Sequence, residues 1–227
     1  MEIDELTQLI KGRRSIRRWQ DKPVPEDMLL QAIELATWAP NGANRQNWFF
    51  YLIFNRDKIK EIADAMQAGT DYRASWPEMK QFGGFGPPPG TAPGATPPPA
   101  QPRSPMSAAP ALIAVATTRQ ENPLDKIMQE REKVDERAAR MREWDRTIDS
   151  RIQSVSAAIA YLLLVLHQMG LGAVWMTGPL PSSKGDIEKI LDVPSDTDII
   201  ALIPVGYPDE SPTKDRKSVN EVCKIIK

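Results

Sequence analysis

Four arginines in six residues, Arg13, Arg14, Arg17 and Arg18, surround the hydroxyl of Ser15. Forked guanidinium donors with a neutral donor among them match what a phosphate monoester dianion requires at close range. A solvated basic loop has the same composition, so the cluster by itself leaves both readings open. A second basic run, Lys214-Asp215-Arg216-Lys217, lies near the other end of the chain. If the fold brings the two runs together, they make a phosphate site. A third polar group fills the loop from Pro40 to Trp48, where Asn41, Asn44, Gln46 and Asn47 precede an apolar run. Amide side chains both donate and accept, which suits a heteroaromatic ring with alternating carbonyl oxygens and ring nitrogens. Pro, Asn and Gly are also ordinary turn residues, and a plain turn is the competing reading of that loop.

Composition removes several other chemistries. The 227 residues carry 29 Lys plus Arg against 30 Asp plus Glu, a formal net charge of −1. No long-range field favours nucleic acid or an acidic membrane face, so neither is an expected partner. The single histidine, His167, and single cysteine, Cys223, cannot supply the usual four-ligand zinc site or an internal disulfide. Any triad or dyad built on imidazole would have to use His167. That residue reads as structural rather than as a proton donor, because it sits at the end of an apolar helical run; Cys223 reads as buried or incidental. The N-terminus opens with acidic residues and lacks a basic start followed by an apolar stretch, so a cytoplasmic location is expected. The most apolar run, Ala157 to Leu166, falls short of the roughly 20 residues that span a bilayer.

The elements that must position these residues follow from periodicity. Ile3, Leu6, Leu9 and Ile10 repeat at helical spacing up to Gly12, which suits a left-handed C-terminal position. Pro25-Glu26-Asp27 begins a second helix, whose apolar face runs through Leu29, Ala32, Ile33 and Ala36 to about Ala39. Trp48 to Phe54 predicts a strand covered on two sides, and Asn55 a cap for a helix carrying Ile59, Ile62, Ala63 and Met66. Between Phe82 and Pro105 stand nine of the 21 prolines, which favours irregular or polyproline structure. Ala111 to Thr117 and Ile199 to Val205 read as buried strands and Ala173 to Thr177 as a short one, with a helix over Asp186 to Leu191. The stretch from Asp125 to Leu166, charged first and apolar later, predicts one long helix or two stacked ones.

In this order the pieces resemble the nitroreductase family of flavin enzymes. The resemblance rests on Arg13-Arg14-Ser15-Ile16-Arg17, on Ala39-Pro40 with Asn44-Arg45-Gln46-Asn47-Trp48, on the run from Gly170 to Gly178, and on Val205-Gly206-Tyr207-Pro208 with Lys214-Asp215-Arg216. It implies an α+β fold: an α/β sandwich with a central mixed sheet flanked by helices, working as an interlocked homodimer with FMN at the subunit interface. It implies that Arg13, Arg14, Ser15 and Arg17 hold the FMN phosphate, joined by Arg216 and Lys214. Asn44 would meet the isoalloxazine edge within the amide loop that also carries Asn41 and Gln46, and Thr177 and Gly178 would approach the flavin through backbone. Asn47 stands where the family usually has proline, and Asn41 where it often has serine. The whole chain, 1–227, is expected to be one such domain with a variable insertion, 68–109, acting as a lid.

The activity implied is hydride transfer from NAD(P)H through flavin N5 to a small electron-poor acceptor, such as a nitroaromatic or quinone, in ping-pong order. No catalytic side chain is then required. Reductive dehalogenation, flavin fragmentation and substrate oxidation are alternatives on the same cofactor. A non-enzymatic alternative makes the proline tract a ligand for a partner domain.

Overall fold

The computed structural model describes residues 2–81, 105–119 and 123–227. A helix α1 (Ile3–Gly12) is followed by α2 (Glu26–Ala36), β1 (Trp48–Ile53), α3 (Arg56–Ala74) and the short α4 (Pro77–Gln81). Then come β2 (Ala111–Thr118), α5 (Pro123–Arg131), α6 (Glu136–Ile148), α7 (Ser150–Gln168), β3 (Gly172–Ala173), α8 (Leu180–Ile190), β4 (Thr197–Gly206) and α9 (Val219–Val222). The proline tract lies mostly outside the described residues. Of the expected insertion, residues 68–74 form the end of α3, and Met106 and Ala109 at the far side are fully buried.

The strands pair in the order β1-β2-β4-β3. β2 is inaccessible from Ala111 to Thr117 because both of its faces are covered. Ala111, Ile113 and Val115 join the cluster made with Leu29 and Ala32 of α2 and Ile159, Leu162 and Leu166 of α7. The alternate residues Leu112, Ala114 and Ala116 join Ile59 and Ile62 of α3 and Leu180 and Ile187 of α8. Period-two alternation in the strand therefore sorts one apolar run into two cores, giving a helix–sheet–helix sandwich. A register shift opposite Val115/Ala116 lets Ala201, Ile203 and Val205 face one core while Ile199 faces the other. One extra residue in a strand reverses its alternation, as a bulge does.

Three expectations are corrected here. The sheet is antiparallel at every strand pairing rather than mixed; the parallel contact is one isolated bridge, Ser15 to Ala173. The segment entering alongside β3 bonds over too few residues to count as a strand. β1 lies at the edge and feeds both cores, Trp48, Phe50 and Leu52 into one and Tyr51 and Ile53 into the other, but Phe49 is 53% exposed, so the cover expected on two sides is incomplete within this chain. The charged-to-apolar stretch is three helices. Asp135 accepts from Arg137 N and Ala138 N at 2.9 and 3.2 Å, and Asp149 from Arg151 N and Ile152 N at 3.0 and 3.1 Å. Each carboxylate starts a new helix by satisfying amides that a continuous helix would have bonded itself. Asn55 caps α3 as its sequence position predicts, accepting from Asp57 N and Lys58 N.

By length and composition alone, Glu136–Gln168 contains a window apolar enough to cross a membrane. In the fold, Val155, Ile159, Leu162 and Leu166 of α7 are spent on the sheet. The tail from Val219 is exposed and includes Cys223, which is therefore not buried.

Polar groups fasten one end of the sandwich. Asp198 in β4 receives Arg119 Nε at 2.8 Å, Arg151 Nη1 at 2.9 Å and Lys184 Nζ at 2.8 Å, joining β2, α7 and α8. Burial pushes its carboxyl up. The hydrogen bonds from Lys184 and Arg151, and the charges of Lys184 and Arg119, outweigh that and hold it below the usual carboxylate range. A depressed folded-state pKa adds stability that is complete above the unfolded value of about 3.9 and is lost as pH falls through the folded one. Asp198→Asn should therefore cost roughly 1–3 kcal/mol at neutral pH. Urea titrations of both proteins should show that difference shrinking once the pH drops below about 4.

Candidate functional site

After α1 the chain runs extended along the open side of β3. Ile16 N donates to Ala173 O at 3.1 Å and Trp19 Nε1 to Gly172 O at 2.7 Å. On its other side the same stretch is laced to the residues after β4. Gln20 N donates to Tyr207 O at 2.9 Å and Asp209 N to Arg18 O at 3.0 Å. Glu210 accepts from the backbone N–H groups of Arg17 and Arg18 and pairs with Arg18 Nε at 3.3 Å. The approach to β3 is close enough to need glycine: a Cβ on Gly172 would stand 2.7 Å from Ile16 Cγ1.

These contacts form a cleft of about 230 Å³ whose walls include Arg13, Arg14, Ile16, His167, Gly172 and Glu210. Arg13 and Arg14 outweigh the charge of Glu210 in it. Arg13 is held below its ordinary pKa, first by burial and then by the neighbouring charges of Arg216 and Arg14. His167 is likewise pushed down by burial, then by Arg13 and Arg14. The two basic runs, far apart in sequence, thus feel each other in the fold through Arg13 and Arg216. Arg14 donates through Nη1 to the carbonyls of Lys11 and Arg13, while its buried Nε has no hydrogen-bond partner. Gly12 is the last residue of α1 rather than a left-handed cap, and a Cβ there would stand 3.1 Å from His167 Nε2. Ser15 and Arg17 lie on the same extended segment without lining the cleft, and Lys214 is exposed on the tail.

The amide loop is elsewhere. Asn41 Oδ1 accepts from Gln46 N at 3.1 Å and Gly42 N donates to Ser154 Oγ at 3.2 Å. Ala43, Asn44 and Gln46 have φ of 53°, 52° and 49°, left-handed values that cost non-glycine residues energy and so require the loop to be held. Asn41 braces the loop, whereas Asn44 and Gln46 are exposed on it. Asn47 bonds Thr117 Oγ1 through its side chain at 3.2 Å, while its carbonyl accepts from Thr118 N at 3.1 Å. The loop touches α7 at Ser154, whereas the cleft touches it at His167. Thirteen residues at 1.5 Å rise put these places about 20 Å apart along one helix. Within one chain, therefore, the amide loop and the basic cleft are not brought together.

Thr177 and Gly178 follow Met176, which is clamped to Leu202 by bonds of 2.9 and 3.0 Å. Both are exposed, and a Cβ on Gly178 would meet nothing within 4 Å, so their backbone faces open space. Sequence reading missed Glu210 and Ser154, and it assigned His167 no place at a site. The only signal for Ser154 was a small polar residue among the buried positions of α7.

Fold and cleft together define an α+β protein whose sheet edge concentrates cations suited to an anionic ligand. Residues 10–207 match the Nitroreductase family, and the chain belongs to that family. A Methanothermobacter thermautotrophicus protein provisionally named NADH dehydrogenase/NAD(P)H nitroreductase is 27% identical over 210 residues, covering 92% of this chain and 80% of that one. An iodotyrosine deiodinase from Thermotoga neapolitana is 26% identical over 92% of this chain and 91% of its own length. A crystal structure of oxidized iodotyrosine deiodinase bound to FMN and 3-iodo-L-tyrosine shares the fold, with a TM-score of 0.66, 21% identity and coverage of 98% and 97%.

Gly172→Ala should lower stability by roughly 1–3 kcal/mol, because Ile16 is held between two backbone bridges and has little room to yield. Chemical denaturation checks the loss, and the same variant should weaken anion binding at the displaced Arg13.

Proposed function

We propose that this chain is an FMN-dependent oxidoreductase that takes hydride from NAD(P)H and passes it to a small electron-poor acceptor such as a nitroaromatic or quinone. The observation that carries this reading is the convergence of Arg14 and Arg216 on Arg13, which is held below its ordinary pKa by burial and by their charges, together with a buried Arg14 guanidinium nitrogen without a partner. That donor set fits the phosphate of FMN. A dianion would relieve the repulsion and occupy the free donor.

Arg13, Arg14, Ser15 and Arg17 would hold the phosphate from the extended segment, with Arg216 and Lys214 arriving on the tail. Asn44 and Gln46, on the loop braced by Asn41, would meet the ring edge. The open backbone at Thr177 and Gly178 would supply donors beside it. FMN, when bound, supplies a centre that accepts and donates hydride. The protein residues then orient the ring and leave one face for donor and acceptor in turn.

The reading includes a homodimer. One chain holds its loop and its cleft at opposite ends of α7, so a second copy running the other way would bring its loop to the first copy's cleft. Exposed Trp38 (79%), Phe49 (53%) and the tail residues Ile225 (77%) and Ile226 (87%) supply apolar surface for such a pairing. Location in the cytoplasm and a lid built from the 68–109 insertion belong to the same proposal. Tyr72 and Trp76, in edge contact at 5.8 Å and exposed, supply aromatic surface at the start of that insertion.

A second reading keeps FMN and replaces the acceptor with a halogenated aromatic. It is favoured by the deiodinase relative, whose identity to this chain is nearly that of the reductase-named one.

Purified protein incubated with FMN and desalted should keep a flavin absorption spectrum that bleaches under anaerobic conditions on adding NADH or NADPH. Retained flavin that neither nucleotide bleaches, but that after chemical reduction is reoxidised by 3-iodo-L-tyrosine, would replace the first reading with the second. Loss of all flavin would overturn both. Arg13→Ala with Arg17→Ala should abolish retention, since two charge-assisted contacts of about 1.5–3 kcal/mol each are removed. Equilibrium titration with FMN measures the loss, expected to exceed about a hundredfold.

A further inference from the structure

His167 is the only histidine of the chain, and it lines the basic cleft together with Arg13 and Arg14. It stands in the last turn of α7, with Nε2 so near the end of α1 that a Cβ at position 12 would lie 3.1 Å from it. The groups around it can be named. From α1 come Glu5 and Gln8, from the extended segment Arg13 and Arg14, and from the tail Glu210, with Arg216 beyond Arg13. Both carboxylates are already engaged. Glu5 accepts from Glu2 N at 2.9 Å in the cap of α1, and Glu210 serves Arg17 and Arg18. The imidazole therefore shares the cleft with two arginines, one of which has a guanidinium nitrogen without an acceptor, while the nearby carboxylates are bonded elsewhere.

We propose that His167, Arg13 and Arg14 form an oxyanion site for a phosphate monoester, in which the imidazole is the third donor and takes up a proton as the anion enters. This goes beyond the assignment of the phosphate to the Arg13–Arg17 segment and the tail, and it rests on the FMN reading only for the source of the phosphate. The step is balanced: the proton comes from solvent, and the dianion sets two negative charges against the three positive ones gathered around it. Without an anion, burial and the two arginines favour the neutral ring; a bound dianion cancels the charge of the two arginines and offers the ring an oxygen acceptor, which together favour the charged form. Binding should therefore tighten as the pH falls through the range where free His167 is neutral.

A chain with one histidine reports on itself. The pH titration of the imidazole ring signals by NMR should give a midpoint below the ordinary value of about 6.5 in the free protein. The midpoint should rise by about one pH unit or more when FMN is bound, a change that corresponds to a tenfold coupling. Riboflavin, which lacks the phosphate, should leave it in place. If FMN is bound without moving the midpoint, and inorganic phosphate added to the FMN-loaded protein moves it, the site stands as one for a separate phosphate group. If FMN is not retained but phosphate alone moves the midpoint, the flavin reading fails and the anion site survives. A midpoint moved by neither FMN nor phosphate, or moved equally by riboflavin, overturns the proposal. In Arg14→Gln, which keeps His167 as the reporter, the rise should be lost or at least halved; an undiminished rise would remove Arg14 from the site.

Discussion

The close approach of the segment after α1 to the two residues of β3 is the contact on which the candidate site depends. β3 is too short to define an edge by itself, with two residues paired to Gly206 and Val205 of β4. It becomes a fixed edge because Ile16 N and the Trp19 indole each bond its carbonyls, and because Gly172 has no side chain to keep Ile16 away. Every cation of the first motif lies on or beside this strip of backbone. Its position sets theirs.

Gathering cations is unfavourable, and the fold offsets the cost with backbone and carboxylate contacts instead of dispersing the charge. Glu210 binds two backbone amides and one guanidinium, so its negative charge is spent on the outer arginines, Arg17 and Arg18. The inner group of Arg13, Arg14 and His167 is left with depressed proton affinity at Arg13 and His167 and an unmatched donor at Arg14. Stabilising charges accumulate around Asp198 at the distant start of β4, where three cations share one partly buried carboxylate. The contrast is informative. One cluster of basic residues is matched within the chain by Asp198 with Glu188 and Asp149 and braces the sandwich, whereas the other is left in excess and faces a cleft.

The helix α7 organises both ends of the molecule. Its apolar face covers the sheet through Val155, Ile159, Leu162 and Leu166, its first turns hold the amide loop at Ser154, and its last turn presents His167 to the cleft. A straight helix of 19 residues keeps those two attachments apart. Separation along this rod is why a pairing of two copies belongs to the functional proposal, and why a loop with three left-handed non-glycine residues is held rigid at a distance from the charges.

Sequence alone determined what depends on near neighbours. The buried strands β2 and β4 are legible as unbroken apolar runs, the cap at Asn55 as a polar residue before a helical face, and the four ordered motifs as a family resemblance that the match over residues 10–207 bears out. The breaks at Asp135 and Asp149 were hidden because apolar spacing continues across them, although each carboxylate caps the next helix locally. What only tertiary structure decided are relations between distant residues: Arg13 beside Arg216, Glu210 under the backbone of Arg17, Gly172 against Ile16, His167 in the cleft, and the amide loop away from it. These carry no local periodicity or spacing. A single basic segment has the same composition whether solvent or a second basic segment lies beside it, so only the packing of the sandwich could bring the charge of Arg216 to bear on Arg13.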